Sequence, residues 1–205
     1  GEQQAFLLHL SPFEKITVQQ ASCLIGCDVL PEYAWEALGS PFIQYNPVEQ
    51  CYELHSILSD LLVQKRGERG FAFERECLLQ AGDFCRDNVQ IATALGFYAQ
   101  VGDYERMLSL DLSHMTFETV NSAPFYKLAL DIATNCPSNL KKAQILSMLR
   151  IAWTLLTFGK NDAFEALMNE LRTMLDAGDK VFPYCSNRNA DSQLLGEWLL
   201  LSSYR

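Results

Sequence analysis

Helical periodicity dominates this sequence and is interrupted once, by a pair of short β-prone runs. Apolar residues recur every three or four positions along most of the chain, and glycine, proline and aspartate separate the periodic segments. The β-prone runs are residues 42–45 and 51–54, and turn-forming residues at 46–50 lie between them. The pattern predicts an all-α fold with one small β-hairpin.

Helix start and stop signals give the order of the first elements. Residues 17–20 form a capping box, Pro31 can begin the next helix and Gly39 can end it. The resulting order of three helices, a hairpin and a further helix is close to that of a winged helix. We therefore predict a winged-helix-like domain over residues 1–66, with a two-stranded wing that ends near Leu54.

Paired helices fill the rest of the sequence. The charged, glycine-flanked run 65–70 indicates a domain boundary. Beyond it, long and short helices alternate with tight glycine and aspartate turns, as is typical of stacked helical hairpins. Among them we predict a helix that ends at Gly82 and one long helix over 138–158. The second domain is thus a tetratricopeptide-like arm over residues 67–205. We expect it to be truncated at its C-terminus, because its last residues have the pattern of mid-helix.

The charge balance argues against two classes of partner. The chain has 16 basic and 25 acidic residues and a net charge of −9. Residues 1–66 alone have three basic and eight acidic residues, a net charge of −5. Nucleic acids and anionic membranes are bound mainly through lysine and arginine. We therefore expect no direct nucleic-acid binding and no membrane association.

The cysteines indicate a reducing compartment rather than a metal site. Seven cysteines are scattered along the chain without a Cys-x-x-Cys motif, which is typical of reduced thiols in a cytoplasmic protein. Cys23 and Cys27 share one helical face, but no further ligands lie near them in sequence. We expect no metal site.

No motif for catalysis is present. The sequence lacks the common hydrolase, metalloprotease, phosphate-loop and dinucleotide-binding signatures. His9 and His114 lie beside apolar residues, so we interpret both as structural, and we expect no catalytic residue. An aromatic series either packs between the helical hairpins or lines a ligand groove, and the sequence leaves both open; its members are Tyr98, Tyr104, Trp153, Phe158, Phe164 and Trp198.

Three segments together resemble a known family. Residues 42–62 include Phe42-Ile43-Gln44-Tyr45-Asn46 and Tyr52-Glu53-Leu54-His55, and they resemble the winged-helix segment of MalT-type, LuxR-family bacterial regulators, which are multidomain signal-transduction ATPases. Residues 94–108, with Val101-Gly102-Asp103-Tyr104-Glu105-Arg106, resemble the start of their helical arm, and residues 196–204 resemble a later helix. Leu61 departs from the family by replacing a frequent phenylalanine.

The resemblance implies a longer parent protein. That parent would have an N-terminal nucleotide-binding domain that holds ATP or ADP and a C-terminal DNA-binding domain, both outside this chain. The histidine at the end of the wing, His55 here, would contact the nucleotide phosphates in the resting state. The alternative is that His55 only caps the following helix, and the sequence does not decide between them. We expect no cofactor in the 205 residues themselves.

Two functions follow as hypotheses. In the first, the chain is a non-catalytic module that transmits a signal between the nucleotide-binding domain of the same parent chain and the DNA-binding domain, with an inducer or a protein partner on the helical arm. In the second, it is a free-standing helical-repeat adaptor that binds a protein or peptide.

Overall fold

The chain is mostly helical and has one small antiparallel sheet, in agreement with the predicted all-α class with a hairpin. The computed structural model describes residues 1–110, 112 and 122–176, with the isolated positions 196, 200 and 203. Two compact units are present, Gly1–Gly102 and Asp103–Arg205. The sequence suggested a boundary after residue 66, a position that lies inside a helix of the first unit.

One helix of the first unit begins with the predicted capping box. The Thr17 side chain accepts the Gln20 amide and the Gln20 side chain accepts the Thr17 amide, which confirms the capping box. The elements of this unit are α1 (Glu2–Leu10), β1 (Lys15–Ile16), α2 (Val18–Ile25), α3 (Glu32–Leu38), β2 (Ile43–Asn46), β3 (Cys51–Leu54), α4 (Ser56–Glu68), α5 (Phe71–Asp87) and α6 (Ile91–Gln100).

The sheet has three strands in the order β1-β3-β2, all antiparallel. The predicted hairpin is confirmed, with Ile43 opposite Leu54. A third strand was not predicted: Lys15 pairs with Glu53 and adds β1 to the other edge of β3. Two residues are too few to show an alternating pattern, and this strand exists through its pairing rather than through local propensity.

A single apolar core holds the helices and the sheet of this unit together. Leu8, Leu10, Ile16 and Ala34 are fully buried in it. They come from α1, β1 and α3, and the burial of their apolar surface is the main force that joins these short elements. The next helices, α5 and α6, extend the unit as an antiparallel pair.

The close approach of α5 and α6 explains a second difference from the sequence analysis. Helix α5 continues through Gly82 to Asp87 and does not end at Gly82 as predicted. The Tyr98 ring of α6 lies against the glycine, so that a Cβ added there would come within 2.4 Å of its Cε1 atom. The Tyr98 hydroxyl donates to the Asp83 carboxylate at 2.8 Å. Gly82 therefore serves packing rather than helix termination.

The second unit is helical throughout its described part. Ser122 accepts the Phe125 amide and Asp103 accepts the Arg106 amide, so each of these side chains caps the helix that follows it. The predicted single helix over 138–158 is interrupted at Gln144, whose φ of −129° and ψ of 51° leave the helical region. The helices are α7 (Tyr104–Ser109), α8 (Ala123–Asn135), α9 (Ser138–Ala143), α10 (Ile145–Thr157) and α11 (Asn161–Asp176).

Candidate functional site

His55 occupies the junction between the hairpin and helix α4. Its amide donates to the Phe42 carbonyl at 2.9 Å, which continues the β2–β3 pairing by one position. Its Nδ1 atom accepts the Ile57 amide at 3.3 Å and so caps α4. The capping role considered in the sequence analysis is thus present, while the phosphate contact stays a prediction.

The capping hydrogen bond determines which ring nitrogen of His55 can donate a hydrogen bond to another group. Because Nδ1 accepts a hydrogen bond from the Ile57 amide, the neutral imidazole carries its own hydrogen on Nε2. The His55 side chain is exposed. It can therefore offer an N–H donor to an anionic group of another molecule or domain without giving up the cap.

Three large apolar side chains are exposed, one opposite His55 across the hairpin and two on the helix that it caps. Phe42 is 51% exposed, Ile57 65% and Leu61 47%. Phe42 lies opposite His55 across the hairpin, and Ile57 and Leu61 are four residues apart on one helical face. We call these four residues the hairpin-base surface. Groups of exposed apolar side chains are typical of interaction sites.

The exposure of Ile57 and Leu61 was not predicted from the sequence. In the structure, Leu62 is buried, Leu58 is half-buried, and Ile57 and Leu61 face outward. The signal was present in the sequence as two adjacent apolar pairs, 57–58 and 61–62, which make a stripe wider than one face of a helix can bury.

A second cluster of functional groups lies on the hairpin. Glu49, Cys51 and Glu53 bring their ligand atoms within 4.8 Å of one another. The Lys15 ammonium lies 2.6 Å from a Glu49 oxygen and 3.1 Å from a Glu53 oxygen. Asn46 also donates to Glu53 at 3.0 Å.

The carboxylates of this cluster already have hydrogen-bond and ion-pair partners within the chain. Hydrogen bonds from Asn46 and Lys15 lower the pKa of Glu53, and those to Glu49 and Glu53 raise the pKa of Lys15. Desolvation raises the pKa of the Cys51 thiol, which disfavours the thiolate that a metal would need. A cation would have to displace Lys15, so we interpret the cluster as a set of ion pairs that joins β1 to the hairpin.

His9 and Cys77 have structural surroundings. His9 Nδ1 lies 3.0 Å from Gln80 Oε1 and its ring packs edge-on against Phe73, in agreement with the predicted structural role. Cys77 Sγ is 3.8 Å from His9 Nδ1, but desolvation raises the pKa of this thiol to about 11, so it is protonated at neutral pH. Cys23 and Cys27 are exposed.

Two rings of the predicted aromatic series are buried, and three, Tyr104, Trp153 and Phe158, are half-buried. Tyr98 is fully buried and Phe164 is 5% exposed. Phe158 stacks on Tyr126 with 4.9 Å between ring centroids. Packing accounts for these rings, as one of the two alternatives proposed. Trp198 and His114 lie outside the described residues, as do most of residues 194–205.

Comparison with protein-family models, with curated proteins and with solved structures finds no match to this chain. Within the described residues, no helix combines the length and apolar character needed to cross a lipid bilayer.

Proposed function

We propose that the chain is a non-catalytic signalling module of a MalT/LuxR-type regulator, in which the hairpin-base surface docks on the nucleotide-binding domain of the parent protein. The observation that supports this most is the combination of an exposed imidazole, free to donate from Nε2, with three exposed apolar neighbours. The apolar side chains would provide the binding free energy, and His55 would donate a hydrogen bond to a phosphate group of the bound nucleotide.

The order of elements supports a winged-helix unit. A helix, a strand, two helices and a hairpin follow one another in the first 54 residues, and the first strand pairs with the last. The similarity is one of architecture, so it supports the hypothesis of a winged-helix module but does not identify the partner of that module. The acidic residues Glu32 and Glu36 on α3 disfavour DNA as that partner. A gel-shift titration of the chain should give no salt-sensitive binding to duplex DNA.

In the proposed mechanism, His55 stabilises the resting state. The Nε2–H group donates to a phosphate oxygen of bound ADP, and inducer binding moves the module away. A contact made in one state alone shifts the equilibrium by its own free energy. A hydrogen bond to a charged group contributes about 1.5–3 kcal/mol, which corresponds to a factor of about ten to a hundred.

Two substitutions separate the phosphate contact from the cap. His55→Ala removes both, whereas His55→Asp keeps an acceptor for the Ile57 amide, since aspartate is a strong N-cap, and repels phosphate. In the protein made from the full coding sequence, both variants should release a fluorescent ADP analogue about ten to a hundred times faster. In the 205-residue chain, only His55→Ala should lower the melting temperature, and only slightly.

The opposite pattern would exclude the mechanism. Unchanged ADP release in both variants, with a lower melting temperature for His55→Ala, would leave His55 as a capping residue only. Absence of a phosphate-binding loop from the coding sequence upstream would exclude the parent itself.

The second hypothesis, a helical-repeat adaptor, is favoured by the paired helices. Helices α5 and α6 pack as closely as a glycine allows, and α8, α10 and α11 form a further group. Stacked helical pairs of this kind commonly present a surface to a peptide or a protein. A coding sequence without flanking domains would make the adaptor the better proposal.

A further inference from the structure

A second exposed surface lies on helix α3, apart from the residues of the hairpin-base surface. The spacing of Glu32, Trp35 and Glu36 places all three side chains on one helical face, and all three are exposed. Trp35 is 45% exposed, and Val29, just before the helix, is 79% exposed. We call these four residues the α3 surface. The buried side of the helix is formed by Ala34, Ala37 and Leu38.

Trp35 exposes a large apolar side chain beside the two carboxylates of the same helical face. The indole is the largest apolar side chain, and an isolated protein gains nothing from leaving nearly half of it in water. Neither Glu32 nor Glu36 forms an ion pair among the described residues. Glu36 accepts one hydrogen bond from Gln3 at 2.6 Å, and Glu32 has no hydrogen bond or ion pair among the described residues.

The surrounding sequence has no cation to offer this surface. Between residues 16 and 64 there is no lysine and no arginine, while six acidic residues occur there: Asp28, Glu32, Glu36, Glu49, Glu53 and Asp60. A partner that complements the α3 surface in charge must therefore bring its own basic side chain.

We propose that the α3 surface binds a basic segment of a partner protein, with an arginine or lysine of that segment over the Trp35 indole and paired with Glu32 and Glu36. Tryptophan is the strongest aromatic partner for such cations. Carboxylates on the same face add charge-assisted hydrogen bonds. An apolar residue beside the cation would cover Val29.

Charge argues against the other occupants. In a symmetric contact between two copies of this chain, each α3 surface would bring two carboxylates against two others, which is repulsive. Nucleic acid would place phosphates beside the same carboxylates. A basic protein segment is the occupant that this surface favours.

Binding can be followed at the tryptophan itself. The chain has three tryptophans, so its proton–nitrogen NMR spectrum has three indole N–H signals, and Trp35→Phe identifies the one from Trp35. The isotope-labelled 205-residue chain is titrated with a short peptide that alternates arginine and leucine. We expect the Trp35 indole signal to shift to saturation, and the same peptide with glutamate for arginine to cause no shift.

Variants test whether the contact is specific. Trp35→Ala, followed by anisotropy of the labelled peptide, should weaken binding about tenfold. Glu32→Gln with Glu36→Gln should weaken it about fivefold at low salt. The control Glu14→Gln with Asp60→Asn removes the same charge from exposed positions of the same unit and should change binding less than twofold.

Four results would overturn the proposal. Equal weakening in the control would reduce the effect to diffuse charge attraction. A saturating peptide that leaves the Trp35 signal unchanged would place binding elsewhere, and failure of the peptide to bind would remove a cationic partner. A Trp35 signal that depends on protein concentration without peptide, together with a dimer in sedimentation, would make a second copy the occupant.

Discussion

Two lysines in this protein are each paired with carboxylates, one inside a helical unit and one on the surface of a sheet. Lys141 has a side chain 4% exposed; it donates to Glu170 at 2.8 Å and to the Ala133 carbonyl at 2.7 Å. Lys15 has a side chain 52% exposed; it lies between Glu49 and Glu53 at similar distances. The bond lengths are alike and the surroundings are opposite.

The difference shows that distance alone does not rank an ion pair. Lys141 joins α9 to the end of α8 and to α11, and a charge buried there is costly unless every bond is made. Lys15 joins β1 to the hairpin in contact with water, where screening and side-chain entropy cancel most of the attraction. We therefore expect the two clusters to differ strongly when each is broken.

The largest effect should come from Glu170→Ala. It leaves the Lys141 ammonium buried with one carbonyl partner and without a counter-charge, so we expect a loss of about 3 kcal/mol in the free energy of unfolding. Chemical denaturation of the chain measures it. The double variant Lys141→Met with Glu170→Leu should recover most of the loss, because it removes both charges. A double variant as unstable as the single one would show that lost packing is responsible.

Lowering the pH should reduce the free energy of unfolding through the same Lys141–Glu170 pair, but by less than Glu170→Ala does. Burial opposes ionisation of Glu170, but hydrogen bonds from Lys141 and Ser138 outweigh it and lower its pKa below the ordinary 4.5. A depressed pKa contributes stability above the unfolded value, and this contribution is lost as the pH falls through the folded value. The stability advantage of the native chain over Glu170→Gln should therefore be constant above about pH 5 and shrink below pH 4.5. An advantage that persists at lower pH would contradict the pairing.

A third cluster lies between the two extremes and sharpens their comparison. Arg66 has a side chain 5% exposed; it donates to Ser11 at 3.0 Å, but its carboxylate partner Glu74 is 3.5 Å away and 34% exposed. Glu74→Ala should cost about 1 kcal/mol, less than Glu170→Ala, because the bond is longer, the carboxylate is wetter and Ser11 remains. A loss equal to that of Glu170→Ala would show that burial of the cation alone decides the cost.

The sequence was sufficient where a signal is local. The Thr17 capping box and the hairpin up to Leu54 depend on a few neighbouring residues, and both were predicted correctly. His55 was identified in the candidate site through its resemblance to a family motif, and its capping bond is equally local.

The parts that were not predicted depend on residues distant in sequence. Strand β1 exists because Lys15 meets Glu53, Gly82 is helical because Tyr98 packs on it, and Lys141 is buried because Glu170 lies beside it. The exposure of Ile57 and Leu61 likewise follows from which face of α4 the core accepts. Burial is a property of the whole unit, so a pattern of apolar residues proposes more candidates than a core can take.

The smallest effect should come from Lys15→Met, the counterpart of the first prediction. Because Lys15, Glu49 and Glu53 are all well exposed, we expect a melting temperature only slightly below that of the native chain and a smaller drop than Glu74→Ala causes. The drop should disappear in concentrated sodium chloride, since salt screens exposed charges. The raised pKa of Lys15 and the lowered pKa of Glu53 keep both groups charged between their ordinary values of 10.5 and 4.5, so the difference should be flat over that range and vanish in acid. Lys15→Arg, which keeps the charge, is the control. A salt-resistant drop as large as that of Glu170→Ala would contradict this expectation. It would mean that the ion pairs between β1 and the hairpin contribute as much to stability as the buried Lys141–Glu170 pair, whatever their exposure.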